Sequence, residues 1–464
     1  MNFISVSNVF FGYDVDSVLL DGISVIFNDT DKVAIVGDNG SGKTTLLKLL
    51  AGILTPDSGT VGINASVFML NQINALDSKS GGEQQMFELM RAFDSNAEIL
   101  LLDEPTNNLD HYAKIKFIDT LSAYPFGAVI VSHDRELLQH MDKIVELSKG
   151  KIRVYGGNYD FYVSQKKSEQ DLLESKYTDC TKEIARLTGT LMVAQNTRQH
   201  HEVKQQKERN NSRRSRLEAN MLKGKSQETE AKKRAIVQKK LDKQISLQKS
   251  LSEQLRNETI KIPVPQKAFY SKELVSVSNV SFAYGTKNIF DNFNFTMYGK
   301  SRIHLTGRNG SGKSTLLKII CGMLKPSQGT VKTYGKIAYI NQDLSLLNKD
   351  KTILDNIIEL SGCLKQKAHA IAANFGFRGD ASKQIVRTLS GGELLKATLA
   401  TVLGGDIQPD LLILDEPTNN LEIKSISILE DALNQYSGAI LLVSHDANFV
   451  RSVNIDNVIE LDSL

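Results

Sequence analysis

A phosphate-loop pattern occurs twice in this chain, and no other feature restricts its possible folds as strongly. GDNGSGKT spans 37–44 and GRNGSGKS spans 307–314, and both fit G-x-x-x-x-G-K-[ST]. The apolar runs Val33–Val36 and Ile303–Leu305 precede them, and the helix-forming runs TLLKLLAG and TLLKIICG follow. Strand, glycine loop and helix is the context in which backbone N–H groups and a helix N-terminus face phosphate oxygens. Further matched stations surround each loop. ISVSNVFFGY (4–13) pairs with VSVSNVSFAY (275–284), Gln72 with Gln342, SGGE at Ser80 with SGGE at Ser390, LDEPTNN at Leu102 with Leu414, and SHD at Ser132 with Ser444. The chain therefore consists of two homologous α/β halves around a dissimilar middle. Between glutamine and SGGE the first half has 7 residues (73–79) and the second has 47 (343–389).

The repeated motifs define two candidate phosphate sites. Lys43 and Lys313 are placed to reach the β and γ phosphates, and Thr44 and Ser314 to put a hydroxyl on Mg2+. ILLLDE (99–104) and LLILDE (411–416) read as buried parallel strands whose acids emerge at the carboxyl end. Asp103 and Asp415 suit the magnesium shell; Glu104 and Glu416 suit a base or water-orienting role. His133 and His445 end neighbouring strands and read as γ-phosphate contacts. Gln72 and Gln342 keep a fixed offset from the loops and read as magnesium or water contacts. Tyr13 and Tyr284 are either core aromatics or stacking platforms for adenine.

Phosphate loop, glutamine, SGGE, LDEP and SHD in this order resemble the nucleotide-binding domain of the ABC ATPase superfamily. Two such domains fused through a charged linker, with EPTNNLD at 104–110, resemble its ABC-F subfamily. The shortened first half is similar to antibiotic-resistance members of the Vga and Msr type. The resemblance implies two tandem P-loop ABC domains joined by an α-helical coiled-coil hairpin: domain one at 1–160, linker at 161–262, domain two at 263–464. It implies ATP and Mg2+ as cofactors and ATP hydrolysis as the activity. The nucleotide-binding residues are then Gly37, Asp38, Asn39, Gly40, Ser41, Gly42, Lys43, Thr44 and Thr45 in one half. In the other they are Gly307, Arg308, Asn309, Gly310, Ser311, Gly312, Lys313, Ser314 and Thr315. The head-to-tail pairing of the family would set Lys43 against Ser390, Gly391 and Gly392, and Lys313 against Ser80, Gly81 and Gly82. Glu422 stands where the family has aspartate, which puts an interdomain contact of the second site in question; Lys79 departs from the more usual leucine.

Charge sets the middle apart. Residues 161–260 hold 22 Lys/Arg against 13 Asp/Glu, while the rest of the chain has 34 against 40. Leu173, Tyr177, Cys180, Ile184, Leu187, Leu191 and Ala194 recur at 4-3-4-3 spacing, a coiled-coil seam. Val237, Leu241, Ile245, Leu251 and Leu255 give a looser return seam with Gln248 in its gap. A first helix over about 160–196, roughly 55 Å long, and a return helix stopped by Pro263 and Pro265 would form a hairpin. Its tip carries Arg198, Lys204, Lys207, Arg209, Arg213, Arg214, Arg216, Lys223 and Lys225, beside His200 and His201. A basic prong without aromatics suits the backbone of a folded RNA. The resemblance makes the ribosome, with its RNA and the tRNA near the exit site, the expected partner.

Composition excludes other classes. Apolar residues are 41% and charged residues 23% of 464, which is globular usage. Three scattered cysteines give neither a disulfide framework nor a zinc site. No apolar run approaches a membrane span, and the first twenty residues do not read as a signal peptide. A cytoplasmic monomer with an intramolecular pair of ABC domains is expected. It would hydrolyse ATP and protect ribosomes from drugs of the peptidyl-transferase region or exit tunnel. The alternatives are a general translation factor at the tRNA exit site, the ATPase subunit of an ABC transporter, and a DNA-maintenance ATPase with a coiled-coil insert.

Overall fold

The computed structural model describes residues 2–14, 17–71, 81–107, 109–209, 232, 235–252, 272–285, 287–308, 310–341, 343–419 and 421–461. Contacts divide the chain into two compact units, Met1–Tyr162 with Glu258–Leu464, and Val163–Asn257.

The first unit contains both α/β halves. In the first half, the strands Val67–Leu70, Ile99–Asp103, Gly127–Val131, Lys32–Val36 and Lys143–Ser148 lie side by side and parallel, and Lys151–Gly156 closes the edge antiparallel. In the second half, Ile337–Ile340, Leu411–Asp415, Ala439–Val443, Arg302–Thr306 and Asn457–Glu460 repeat the parallel order. Three-stranded antiparallel sheets, centred on Phe3–Phe11 and Glu273–Tyr284, accompany them. Alternation explains the uninterrupted apolar strands. Ile99 and Leu101 enter one core while Leu100 and Leu102 enter another, and Leu411, Ile413 and Leu412, Leu414 do the same. A strand covered on both faces needs no polar side. Each phosphate-loop strand lies inside its sheet, so the loop opens at the carboxyl edge where α/β sheets bind ligands.

The unequal spacing between glutamine and SGGE has a structural counterpart. Helices Ile353–Ser361 and Lys365–Asn374 fill that interval in the second half and share a core with Gly391–Leu403. In the first half only ten residues separate the strand ending at Leu70 from the helix Gly81–Asp94.

The second unit contains the coiled-coil hairpin. Its outgoing helix runs Tyr159–Arg209, about thirteen residues past the expected end near 196. The added stretch contains no glycine or proline and is rich in Gln, Glu, Lys and Arg, all good helix formers. The outgoing seam matches expectation, with Cys180 and Leu187 buried. The return seam over 235–252 does not. Ile245 is 48% exposed, and the inward positions are Val237, Leu241, Gln244, Gln248 and Leu251, a strict 4-3-4-3 repeat. The Cys180 thiol donates to Gln244 Oε1 at 3.1 Å, and Gln248 Nε2 donates to Thr181 Oγ1 at 2.9 Å. Polar partners across the hairpin satisfy the two amides and overrode the apolar pattern. Leu255, Pro263, Pro265 and the tip cations Arg213, Arg214, Arg216, Lys223 and Lys225 lie outside the described residues.

This register is testable. Leu241→Ala should destabilise the hairpin by about 2 kcal/mol, whereas Ile245→Ala should stay within about 0.5 kcal/mol. Urea-dependent proteolysis within 163–257 would read both, and equal effects would contradict the register.

Candidate nucleotide sites

Glycine conformation builds each phosphate loop. Gly42 and Gly312 cap the helices Lys43–Leu50 and Lys313–Ile320 with φ of 101° and 99°, a region costly to any residue with a Cβ. A Cβ on Gly312 would also come within 2.4 Å of Ile289 Cγ2. Lys43 Nζ donates to the carbonyls of Gly37 and Asp38 at 2.8 and 3.2 Å, and Lys313 Nζ to those of Gly307 and Arg308 at 2.7 and 2.9 Å. Burial pushes the Lys43 ammonium below its ordinary range, opposed by Glu104, Glu422, Asp103 and Asp38.

Asp103 and Asp415 end fully buried strands beside these loops. Thr44 Oγ1 donates to Asp103 Oδ2 at 2.7 Å, while Asp415 Oδ2 accepts from Tyr339 Oη at 3.1 Å. Met69 occupies the first-half position of Tyr339. Glu104 and Glu416 follow with left-handed φ of 50° and 48°. Non-glycine residues persist there only when their surroundings hold them. Each N–H donates at 2.9 Å to the neighbouring strand, at Val131 and Val443. Burial raises the Glu104 carboxyl to about 8 and Glu416 to about 7. His133 Nε2 stands 3.7 Å from Glu104 Oε1, and His445 Nε2 stands 3.2 Å from Glu416 Oε1. Burial, then the loop lysines, depress these imidazoles to about 3 and about 4. In each half burial thus disfavours the charged form of both the histidine and the carboxyl beside it.

A cavity of about 550 Å³ brings together Tyr13, Lys43, Thr44, Asp103, Glu104 and His133. Tyr13 is 62% exposed and Tyr284 51%, so neither is a core residue. Tyr13 Oη lies 3.0 Å from Thr45 Oγ1, and the rings stand edge-on to Phe11 and Phe282. Asn107 also lines the cavity; its place in the repeated EPTNN was the available signal. Ser41 and Ser311 present buried hydroxyls without a hydrogen-bond partner. Gln72, Ser80, Asn309 and Gln342 lie outside the described residues. Gly81 and Gly82 open the helix Gly81–Asp94.

The halves meet through Glu422, the departure noted in the second motif, and through Lys424, Arg135, Glu430 and Ile423, which motif reading passed over. Asn39 N donates to Glu422 Oε1 at 2.5 Å, and Lys424 Nζ pairs with Asp38 at 2.7 Å. Glu422 therefore bears on the first phosphate loop rather than on the second. Ser390 closes a capping box with Glu393 on its own helix, and the second-half side chains that bond the first loop are Glu422 and Lys424. Arg135 pairs with Glu430 at 2.7 Å, and Ile423 packs on the first-half core.

Known proteins share this arrangement. A family model described as ABC transporter matches residues 20–79, 68–107 and 290–419, and a second with that description matches 145–191. Over 455 residues the chain is 32% identical to the erythromycin resistance ATP-binding protein MsrA of Staphylococcus epidermidis, covering 91% of each. The chain belongs to the ABC-F family of ATPases. This ABC-F chain is also 29% identical over 484 residues to the ribosome protection protein VmlR of Bacillus subtilis, covering 97% of itself and 85% of VmlR. The archaeal recycling factor aABCE1, solved with the ribosomal stalk protein aP1, shares the fold at a TM-score of 0.58 and 17% identity, over 98% of this chain and 87% of that one. As an ABC-F member the chain binds nucleotide and hydrolyses ATP. No described helix is long and apolar enough to cross a membrane.

The raised Glu104 carboxyl gives stability a pH signature. Between the ordinary 4.5 and about 8 the folded chain keeps a proton that the unfolded chain has lost, so this group lowers stability as pH rises through that window. Glu104→Gln, which mimics the protonated form, should match the parent near pH 5 and exceed it by on the order of 2 kcal/mol near pH 8. Denaturant unfolding at both pH values checks this; a pH-independent difference would contradict it.

Proposed function

We propose that this ABC-F ATPase binds the ribosome in its ATP-closed state and protects it from antibiotics acting at the peptidyl-transferase region or exit tunnel. The observation that carries the reading is near-full-length similarity to MsrA and VmlR. A shortened first domain and a strongly basic hairpin tip support it. The tip would meet RNA through phosphate contacts, so the association would weaken steeply with salt.

In this reading the two loops hold ATP between the halves, with Lys43 and Lys313 on the phosphates and Tyr13 and Tyr284 beside adenine. The donor sets fit magnesium: hydroxyl and carboxylate oxygens only, from Thr44 with Asp103 and Ser314 with Asp415. Among the described residues no cluster of three or more metal-ligating side chains exists, as suits an ion shared with nucleotide phosphates. Bound there, the ion would neutralise phosphate charge. Glu104 and Glu416 orient water for attack on the γ-phosphate, and His133 and His445 contact that phosphate as neutral donors. Glu422 and Lys424 join the first phosphate loop to the other half, and a γ-phosphate held between the halves would add a bridge that hydrolysis removes.

Two measurements test this function. The Glu104→Gln/Glu416→Gln double variant should lose ATP turnover at least a hundredfold and pellet with ribosomes when ATP is present; a variant that stays in the supernatant refutes the closed-state mechanism. Expression in a sensitive bacterium should raise the inhibitory concentration of a macrolide, lincosamide, streptogramin or pleuromutilin at least fourfold, and unchanged susceptibility to all four would instead favour a general translation role.

A further inference from the structure

The two histidine segments are held unequally. In the second half both backbone carbonyls of the segment meet a nitrogen: His304 Nε2 lies 3.0 Å from Ser444 O, and Lys114 Nζ donates to His445 O at 3.3 Å. Lys114 belongs to the first half, on the helix His111–Ala123. It is only 6% exposed. Asp134 at 2.8 Å and Glu136 at 3.9 Å hold it from its own half. Asp134 is itself fixed by capping the helix Arg135–Leu138, so the ammonium is aimed from a rigid base. The residues at the mirror positions are Ala34 and Ile426. Neither carries a donor, and Ile426 is buried in the core of its own half. The first-half carbonyls of Ser132 and His133 receive neither bond; that segment is tied through its side chains instead, Asp134 to Lys114 at 2.8 Å and Arg135 to Glu430 of the second half at 2.7 Å, and both ring nitrogens of His133 are buried without a hydrogen-bond partner.

A buried ammonium is an expensive way to fill an interface, since an apolar side chain of similar volume is often as stable. Isoleucine at the mirror position provides that apolar solution. What lysine adds is a directed bond to the other half, made only while the halves are docked.

We propose that Lys114 is a positioning residue that the first half supplies to the second nucleotide site, fixing the Ser444–His445 backbone so that His445 stands beside Glu416. Hydrolysis at the second site then depends on docking of the first half, whereas no mirror lysine bonds the first-site histidine backbone, which the second half meets through Glu430 on Arg135. This rests on Glu104 and Glu416 being the hydrolytic carboxylates of their sites.

The test separates the sites with single Gln variants of the full chain. Turnover remaining in Glu104→Gln reports the second site, and turnover remaining in Glu416→Gln reports the first. Lys114→Ile should lower second-site kcat about tenfold with KM for ATP changed less than twofold, and lower first-site turnover, where only the side-chain pair to Asp134 is lost, no more than about threefold. Lys114→Arg should restore at least a third of second-site kcat, because guanidinium can donate to the same carbonyl. If Lys114→Ile is insoluble, Lys114→Gln, neutral and too short to reach His445 O, should show the same site-selective loss. Equal losses at both sites, no loss at either, or a change in KM alone would overturn the proposal. If neither Gln variant lowers turnover in the parent chain, the carboxylate assignment beneath it fails instead.

Discussion

Glu104 and Glu416 follow doubly covered strands beside the phosphate loops, with side chains only 15% and 13% exposed, and are held in a left-handed backbone conformation. Desolvation there disfavours the charged carboxylate and equally disfavours a charged imidazole nearby. Burial accordingly pushes the carboxyl up and the neighbouring imidazole down in both halves, further in the first than in the second. The surrounding parallel sheet makes this possible. Only a strand packed on both faces can deliver an acid to an edge so poor in water.

Duplication gave the chain two such sites, and the interface made them unequal. Lys114 and His304, with Ile426 and Ala34 as counterparts, meet the carbonyls of the second histidine segment, whereas Arg135, with Ala447 as counterpart, ties the first segment to Glu430. The first phosphate loop is met by Glu422 and Lys424 instead. Two copies of one motif set can thus share a fold and yet present different electrostatics around their phosphates.

The hairpin follows a related rule. Gln244 and Gln248 occupy inward positions because partners on the outgoing helix satisfy them. A polar pair inside a two-helix seam fixes register at some cost in apolar burial.

Periodicity and motif spacing alone determined the tandem α/β halves, the buried strands, the phosphate loops, the paired acids and histidines, and the outgoing seam. Each is local: a loop of fixed glycines, a strand of five apolar residues, or a repeat of seven. That Ile245 of the return helix faces outward, which loop Glu422 touches, and that a lysine crosses from one half to the other were decided only in three dimensions. Those outcomes depend on pairs hundreds of residues apart, where a single side chain carries no periodic trace. Lys114 and Ile426 occupy the same place in the motif order, and only the packed interface gives one of them a partner across it.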